Sequence, residues 1–358
     1  MKPFTFDASS SRVVFEPGGI TKVAEELDRL GVKRALLVST PGRASLSATV
    51  STSLGSRVAG VFSEAVVHVP EATALAARGL ATETHADALV PIGGGSAIGV
   101  AKAVALTSGI PILAVPTTYG GSEMTPIWGM TRGGKKTTGS DSRVQPRVVI
   151  YDPELTLALD SRTTAASGLN AMAHCIESLY AADANPLTTS AAVDGLKLLA
   201  RALPRLKKNP RDLALRADAL QGSWLAGFAL GTVGMSLHHK LSHTLGGSFN
   251  LPHAETHSVL LPYTAAYNRR SAPVAMRIAA EALDSDDAPA ALFALARQID
   301  TPKNLADIGF RESDIELAAT LATESPYPNP RPVTKQGIAA LLTAAFKGDS
   351  LYVDEPPQ

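Results

Sequence analysis

Residues 87–102 read DALVPIGGGSAIGVAK. An apolar run ends in three consecutive glycines, and helical spacing begins directly after them. The stretch therefore predicts a strand over 87–95, a turn, and a helix over 97–107 with Ser96 at its start. Glycines here let the backbone approach a phosphate closely, and a helix N-terminus offers N–H donors and partial positive charge. The spacing is not the G-x-G-x-x-G of the dinucleotide fingerprint, and a plain tight turn would also account for it.

The same alternation extends on both sides. Strands are expected over 12–19 (with its turn), 33–40, 57–67, 110–118 and 147–153, the second and third of them buried. Helices are expected over 20–31 and 71–85. Such alternation implies a parallel sheet covered by helices on both faces. A second loop, AVPTTYGGSEMTP at 114–126, also follows a strand. Its hydroxyls and glycines suit the crevice where open parallel sheets bind ligands, so both loops together argue for a nucleotide. Residues 131–146, TRGGKKTTGSDSRVQP, read as a hairpin or flexible flap. Beyond Pro153 the pattern turns helical over 163–345, with breaks expected at Pro186, Pro204, Pro210, Pro252, Pro273 and Pro302. The expected fold is an α/β N-terminal domain with a Rossmann-like parallel sheet (residues 1–157), followed by an all-α C-terminal domain (residues 158–358). The last seven residues, YVDEPPQ, read as a frayed tail.

At 358 residues the chain is long enough for two cores. Lys and Arg total 33, as do Asp and Glu, so no net field recruits nucleic acid or an acidic membrane. The one cysteine, Cys175, excludes an intramolecular disulfide and a Cys-rich metal site, and reads as a buried filler. Residues 219–239 carry no Asp, Glu, Lys or Arg. Their polar residues and four glycines favour a buried central helix running into the histidines over a membrane span. The first fifteen residues lack the apolar core of a signal peptide, and a cytoplasmic location is expected.

Residues 236–257, SLHHKLSHTLGGSFNLPHAETH, hold five of the eight histidines. His239 and His243 stand four apart and would share a helical face. His253 follows after a Gly-Gly break, behind Pro252. Upstream, His174 stands four residues after Asn170. Any one of these histidines alone also fits an ordinary core or surface position; the set reads as a polar site assembled between helices.

These loops and histidines resemble the iron-type (group III) alcohol dehydrogenases, whose fold is dehydroquinate synthase-like. The family's GGGSxxD falls on residues 93–99 and its PTTxxTGSExT on 116–125. Its metal-binding Asp-x-x-x-His falls on Asn170 and His174. Its His-x-x-x-His…Pro-His-Gly falls on His239, His243, Pro252 and His253. The resemblance implies NADH or NADPH held by Ser39, Thr40, Gly93, Gly94, Gly95, Ser96, Thr117, Thr118, Ser122, Thr125 and Lys136. It also implies a homodimer. The metal-ligand positions would be Asn170, His174, His239 and His253, with His243 near substrate and nicotinamide as a candidate proton carrier.

Four departures point the same way. Asn170 replaces the ligand Asp, and Gly99 replaces the last residue of GGGSxxD. The loop PTTYGGSEMTP is one residue short, and the family's PHG is PHA. Together with YPNPRPV at 327–333, they are similar to the maleylacetate reductase branch. A neutral amide is a poor partner for a divalent metal, so no tightly bound metal is expected. Reducing the C=C of an oxo-enoate places charge on a conjugated enolate oxygen, which hydrogen-bond donors from Asn170, His174, His239 and His253 can stabilise. His243 would supply the proton. For the dicarboxylate substrate the expected contacts are Asn170, Tyr119, Tyr327 and Arg331, the last as a carboxylate fork. With Ser39 and Thr40 where NAD-preferring members carry an acid, both nicotinamide cofactors should be accepted. A metal-dependent alcohol or polyol dehydrogenase, a nucleotide-binding protein without catalysis, and a lyase of the dehydroquinate synthase type are the rival readings.

Overall fold

The structure, a computed structural model, describes residues 4, 6, 11–133 and 135–351, with the Lys135 side chain left out. Part of the N-terminal stretch read for a signal, and the YVDEPPQ tail, lie outside them. The chain forms two compact units dividing between Leu159 and Asp160.

The first unit begins with β1 (Arg12–Phe15), α1 (Val23–Arg29), β2 (Ala35–Val38), α2 (Ala44–Leu54) and β3 (Val58–Phe62). It continues with α3 (Glu71–Glu83), β4 (Ala88–Gly93), α4 (Gly95–Ser108) and β5 (Leu113–Pro116). A hairpin of β6 (Ile127–Arg132) and β7 (Lys135–Ser140) precedes β8 (Val148–Tyr151). Six parallel strands lie in the order β1-β8-β5-β4-β2-β3, and β6 pairs with β7 antiparallel. The chain leaves β2 toward β3 and leaves β4 toward β5, in opposite directions. The switch point, where open α/β sheets bind ligands, therefore lies between the C-terminal ends of β2 and β4. The expected burial of the third strand does not hold. β3 is an edge, and four of its five residues are partly or fully exposed. Helix α2 escapes the sequence pattern because its serines and threonines dilute the apolar period. Only Ser47, Val50 and Leu54 are buried, on one face. The core joins Val23 and Leu27 of α1, Val50 and Leu54 of α2, and strand residues such as Leu37, Val90, Ile92, Val115 and Ile150.

The second unit comprises α5 (Ser161–Tyr180), α6 (Pro186–Lys208), α7 (Leu213–Gly231), α8 (Leu237–Phe249) and α9 (His253–Asn268). After these come α10 (Pro273–Ala282), α11 (Ala288–Gln298), α12 (Ile315–Thr323) and α13 (Lys335–Lys347). Three expectations change here. Pro204 does not break α6, which runs through it. An interior proline costs about 3 kcal/mol, but burying Leu203 and Leu206 on either side returns about 2 kcal/mol each. The charge-free run 219–239 is not one helix, because α7 ends at Gly231 and α8 starts after Ser236. The Gly-Gly pair does not end α8 either. The helix continues to Phe249 and stops at Asn250, whose φ of 55° provides the left-handed cap.

Helix α5 is held closely. A Cβ on Gly195 would meet Cys175 Sγ at 2.9 Å and the Gly222 carbonyl at 3.1 Å. These glycines let α6 and α7 approach each other and the middle of α5, where Cys175 fills the contact and burial pushes its thiol up. No helix among the described residues is long and apolar enough to cross a membrane.

Candidate active site

In the α/β unit the strand tips bring together Ser39 and Thr40 after β2, Gly93 at the end of β4 with Gly94–Ser96 after it, and Thr117 and Thr118 after β5. Gly93 has φ 154°, a region open to glycine, and Gly94 caps α4. A Cβ on Gly94 would meet Thr118 Oγ1 at 2.8 Å, so residue 94 must be glycine for the β5 loop to close over the helix start. The Thr117 and Ser122 hydroxyls are buried without partners among the described residues. Ser39 is fully buried and its hydroxyl bonds Ser63 at 3.3 Å, whereas Thr40 is half-buried at the start of a short 3-10 turn. Gly99 has a steric reason: a Cβ there would meet Val69 Cγ2 at 2.7 Å. The hairpin holds the 68–69 backbone in place through Thr131, which bonds the His68 carbonyl at 2.9 Å and the Val69 carbonyl at 3.0 Å. The space of the family's aspartate is thus taken by Val69.

Sequence reasoning gave Lys102 no role. Its fully buried ammonium donates to the carbonyls of Ser122 (2.6 Å), Thr125 (2.6 Å) and Ile127 (2.8 Å), and to Thr125 Oγ1 (3.0 Å). Thr125, expected at the cofactor, is therefore also part of this clamp. Burial lowers the Lys102 ammonium to about 7, against the opposing pull of Glu123. Glu123 is itself buried, accepts from Tyr151 Oη at 2.9 Å, and is raised by desolvation.

In the helical unit, six histidines form one contiguous cluster. On α8, Leu237, Leu241 and Leu245 enter the core with Val259 and Leu260 of α9 and Leu341 of α13. The opposite face then presents His239 and His243, with ring centroids 6.0 Å apart. His174 lies 5.0 Å from His239, and His253 is stacked on His243 at 6.2 Å. His238 and His257, absent from the expected set, join it: His257 is 4.4 Å from His253 and 5.1 Å from His239. His243 and His253 are half-exposed; the other four are buried. Burial, then the neighbouring imidazoles, holds His174, His238 and His257 well below the usual histidine range, so these rings are neutral.

Glu177 orders the cluster. It is fully buried, accepts the His238 backbone N–H at 2.8 Å through Oε1, and bonds His239 Nδ1 through Oε2. With Nδ1–H committed to the carboxylate, His239 keeps a lone pair on Nε2, which is buried and has no partner among the described residues. The signal was available, since Asn170, His174 and Glu177 stand at i, i+4 and i+7 on one face of α5.

The remaining expected residues fall two to each unit. Tyr119 is fully buried in the α/β unit. Lys136, on the hairpin, is half-buried, and desolvation lowers its ammonium to about 8. Tyr327 lies under Lys240, 5.9 Å from Nζ to ring centroid. The Arg331 guanidinium stacks on Tyr267 at 4.0 Å, with its loop latched by paired amides of Asn329 and Asn268. Tyr267 is fourteen residues along α9 from His253, roughly 21 Å at 1.5 Å per residue.

The two sites answer differently to the groups they would hold. The tight Gly94 approach and the orphaned Thr117 and Ser122 hydroxyls fit a phosphate-bearing cofactor. An iron ion would fall to Asn170, His174, His239 and His253, a set without the charge-compensating carboxylate. This donor set does not fit a tight iron centre.

Residues 10–153 match the family model described as iron-containing alcohol dehydrogenase, and residues 164–346 match that of the Fe-containing alcohol dehydrogenase family, C-terminal. The chain is 52% identical to a maleylacetate reductase of Burkholderia cepacia, over 97% of this chain and 99% of that one. It is also similar to the crystal structure of maleylacetate reductase from Agrobacterium tumefaciens, with a TM-score of 0.92, 47% identity, and 97% and 99% of the two chains covered. The corresponding structure from Rhizobium sp. strain MTP-10005 gives 0.91 and 46%, with the same coverage.

Proposed function

The chain belongs to the iron-containing alcohol dehydrogenase family, and on that premise we propose that it reduces the C=C bond of 2-maleylacetate to give 3-oxoadipate, using NADH or NADPH. The observation that carries this reading is the near-complete, roughly half-identical match to maleylacetate reductases. It agrees with Asn170 standing where a metal-dependent relative would need a carboxylate. The reaction belongs to the breakdown of aromatic or chloroaromatic compounds, and we place it in the cytoplasm in a homodimer.

Gly93, Gly94, Gly95 and Ser96 would hold the cofactor phosphates at the start of α4, with Thr117, Thr118 and Ser122 beside them. When bound, the nicotinamide supplies the hydride, which adds to the carbon remote from the ketone. The helical unit answers the charge that follows. Asn170 can donate its amide N–H to the enolate oxygen, and His174 and His253 can add further donors; His239, whose one N–H goes to Glu177, faces the site as an acceptor instead of the expected donor. Glu177 keeps His239 in one tautomer. Half-exposed His243 can take a proton from solvent and pass it to carbon. No step in this scheme needs a Lewis acid.

The test is NADH consumption with maleylacetate by protein stripped with chelator and confirmed metal-free by elemental analysis. Most of the activity should survive. Loss on stripping, with recovery on adding iron or zinc, would instead favour a metal-dependent dehydrogenase whose Asn170 still helps to bind the ion.

A further inference from the structure

His238 and His257 take no part in the scheme above, yet they form a chain with Thr264. His238 Nδ1 lies 2.9 Å from Thr264 Oγ1, and His238 Nε2 lies 2.9 Å from His257 Nδ1. Thr264 Oγ1 stands 3.1 Å from the carbonyls of Leu260 and Leu261 in its own helix. A threonine hydroxyl has a single proton, so two arrangements satisfy these distances. In one, the hydroxyl donates to the helix carbonyls and accepts from His238 Nδ1–H. His238 Nε2 then accepts from His257 Nδ1–H, and His257 Nε2 is a bare lone pair. In the other, every proton points the opposite way and His257 Nε2 carries hydrogen.

His257 Nε2 is buried and has no partner among the described residues. A stranded donor in such a place costs about 1–3 kcal/mol, whereas an under-used acceptor is the commoner and milder defect. The first arrangement also gives the hydroxyl proton a backbone acceptor, as buried threonines on helices take. We infer that Thr264 and His238 are positioning residues that lock His257 in its Nδ1–H tautomer, so that its Nε2 lone pair serves the histidine cluster as a hydrogen-bond acceptor during maleylacetate reduction. The ring packs edge-on against His253 and His239. An acceptor there orients whichever imidazole N–H or water carries the proton to be delivered. Glu177 does the same for His239 from the other side, so two tautomers are set by two independent partners.

The kinetic part rests on the reductase reading; the tautomer itself does not. Long-range proton–nitrogen correlation spectra of 15N-histidine-labelled protein read the tautomers directly, with His257 assigned through His257→Gln. The wild type should show Nδ1–H at both His238 and His257. Thr264→Val should lose that pattern and lower kcat about tenfold to a hundredfold with both KM values nearly unchanged, as loss of an outer partner typically does. Thr264→Ser, which keeps the hydroxyl, should restore both. An Nε2–H tautomer at His257 in the wild type overturns the inference, whatever the variants do. So does a Thr264→Val protein with altered tautomers and full kcat. Wild-type protein with the expected tautomers but no turnover of maleylacetate would strike the reductase reading alone.

Discussion

Lys102 and Glu177 are fully buried charges on helices, one in each unit, and they are satisfied in different ways. Among the described residues Lys102 donates to oxygens of one short segment, Ser122 to Ile127, so its charge shapes a loop. Glu177 accepts from one backbone N–H and one imidazole, so its charge reaches a chemically active ring. A buried charge is costly in either place and persists only with such partners. The loop-shaping charge belongs to the unit whose strand tips fit a cofactor. The ring-orienting charge belongs to the unit that gathers the histidines. The contrast implies that damage to the first unit should appear in binding, and damage to the second in turnover.

The sharpest way to break this contrast is His243→Ala. As the proton carrier, its loss should lower kcat by about 10²–10⁴-fold with little change in KM for maleylacetate. Steady-state kinetics giving a near-wild-type kcat would remove His243 from the chemistry. Next comes Glu177→Gln, which keeps the shape but lets the amide present either a donor or an acceptor to His239. It should cost about 10–100-fold in kcat, again with KM nearly constant. An effect confined to KM would place Glu177 with Lys102 rather than opposite it.

Lys102→Met should behave in the other way. Three loop carbonyls lose a cation, each unmet acceptor costing about 1–3 kcal/mol before relaxation. KM for NADH should rise roughly tenfold, the melting temperature should fall, and kcat at saturating NADH should stay close to wild type. A large fall in saturated kcat would show that the clamp serves chemistry. The smallest effect is expected from Thr40→Asp. A carboxylate at the end of β2 should shift the NADH-to-NADPH ratio of kcat/KM toward NADH by about ten- to a hundredfold, or 1.4 to 3 kcal/mol. An unchanged ratio would mean that Thr40 does not face the ribose.

Much of this molecule is local in origin and was legible. The alternation of strand and helix, the glycines at 93–95 and the i, i+4 histidines follow from periodicity and backbone permission, which neighbouring residues carry; the hairpin, read as hairpin or flap at 131–146, starts four residues earlier and ends at Ser140. Tertiary packing decided the rest. Pro204 stays inside a helix because leucines on either side of it are buried. Helix α8 passes through two glycines because Leu237, Leu241 and Leu245 hold it in the core until Asn250 caps it. Arg331 found the face of Tyr267, sixty-four residues away. The buried polar pairs were the least legible: Glu177 meets His239 across 62 residues, His238 meets Thr264 across 26, and His257 meets His238 across 19. The sequence by itself determined which residues were present and which face of its helix each shared. Only the folded chain decided which buried donor met which buried acceptor. That choice depends on desolvation and distance, and neither exists until distant segments have packed.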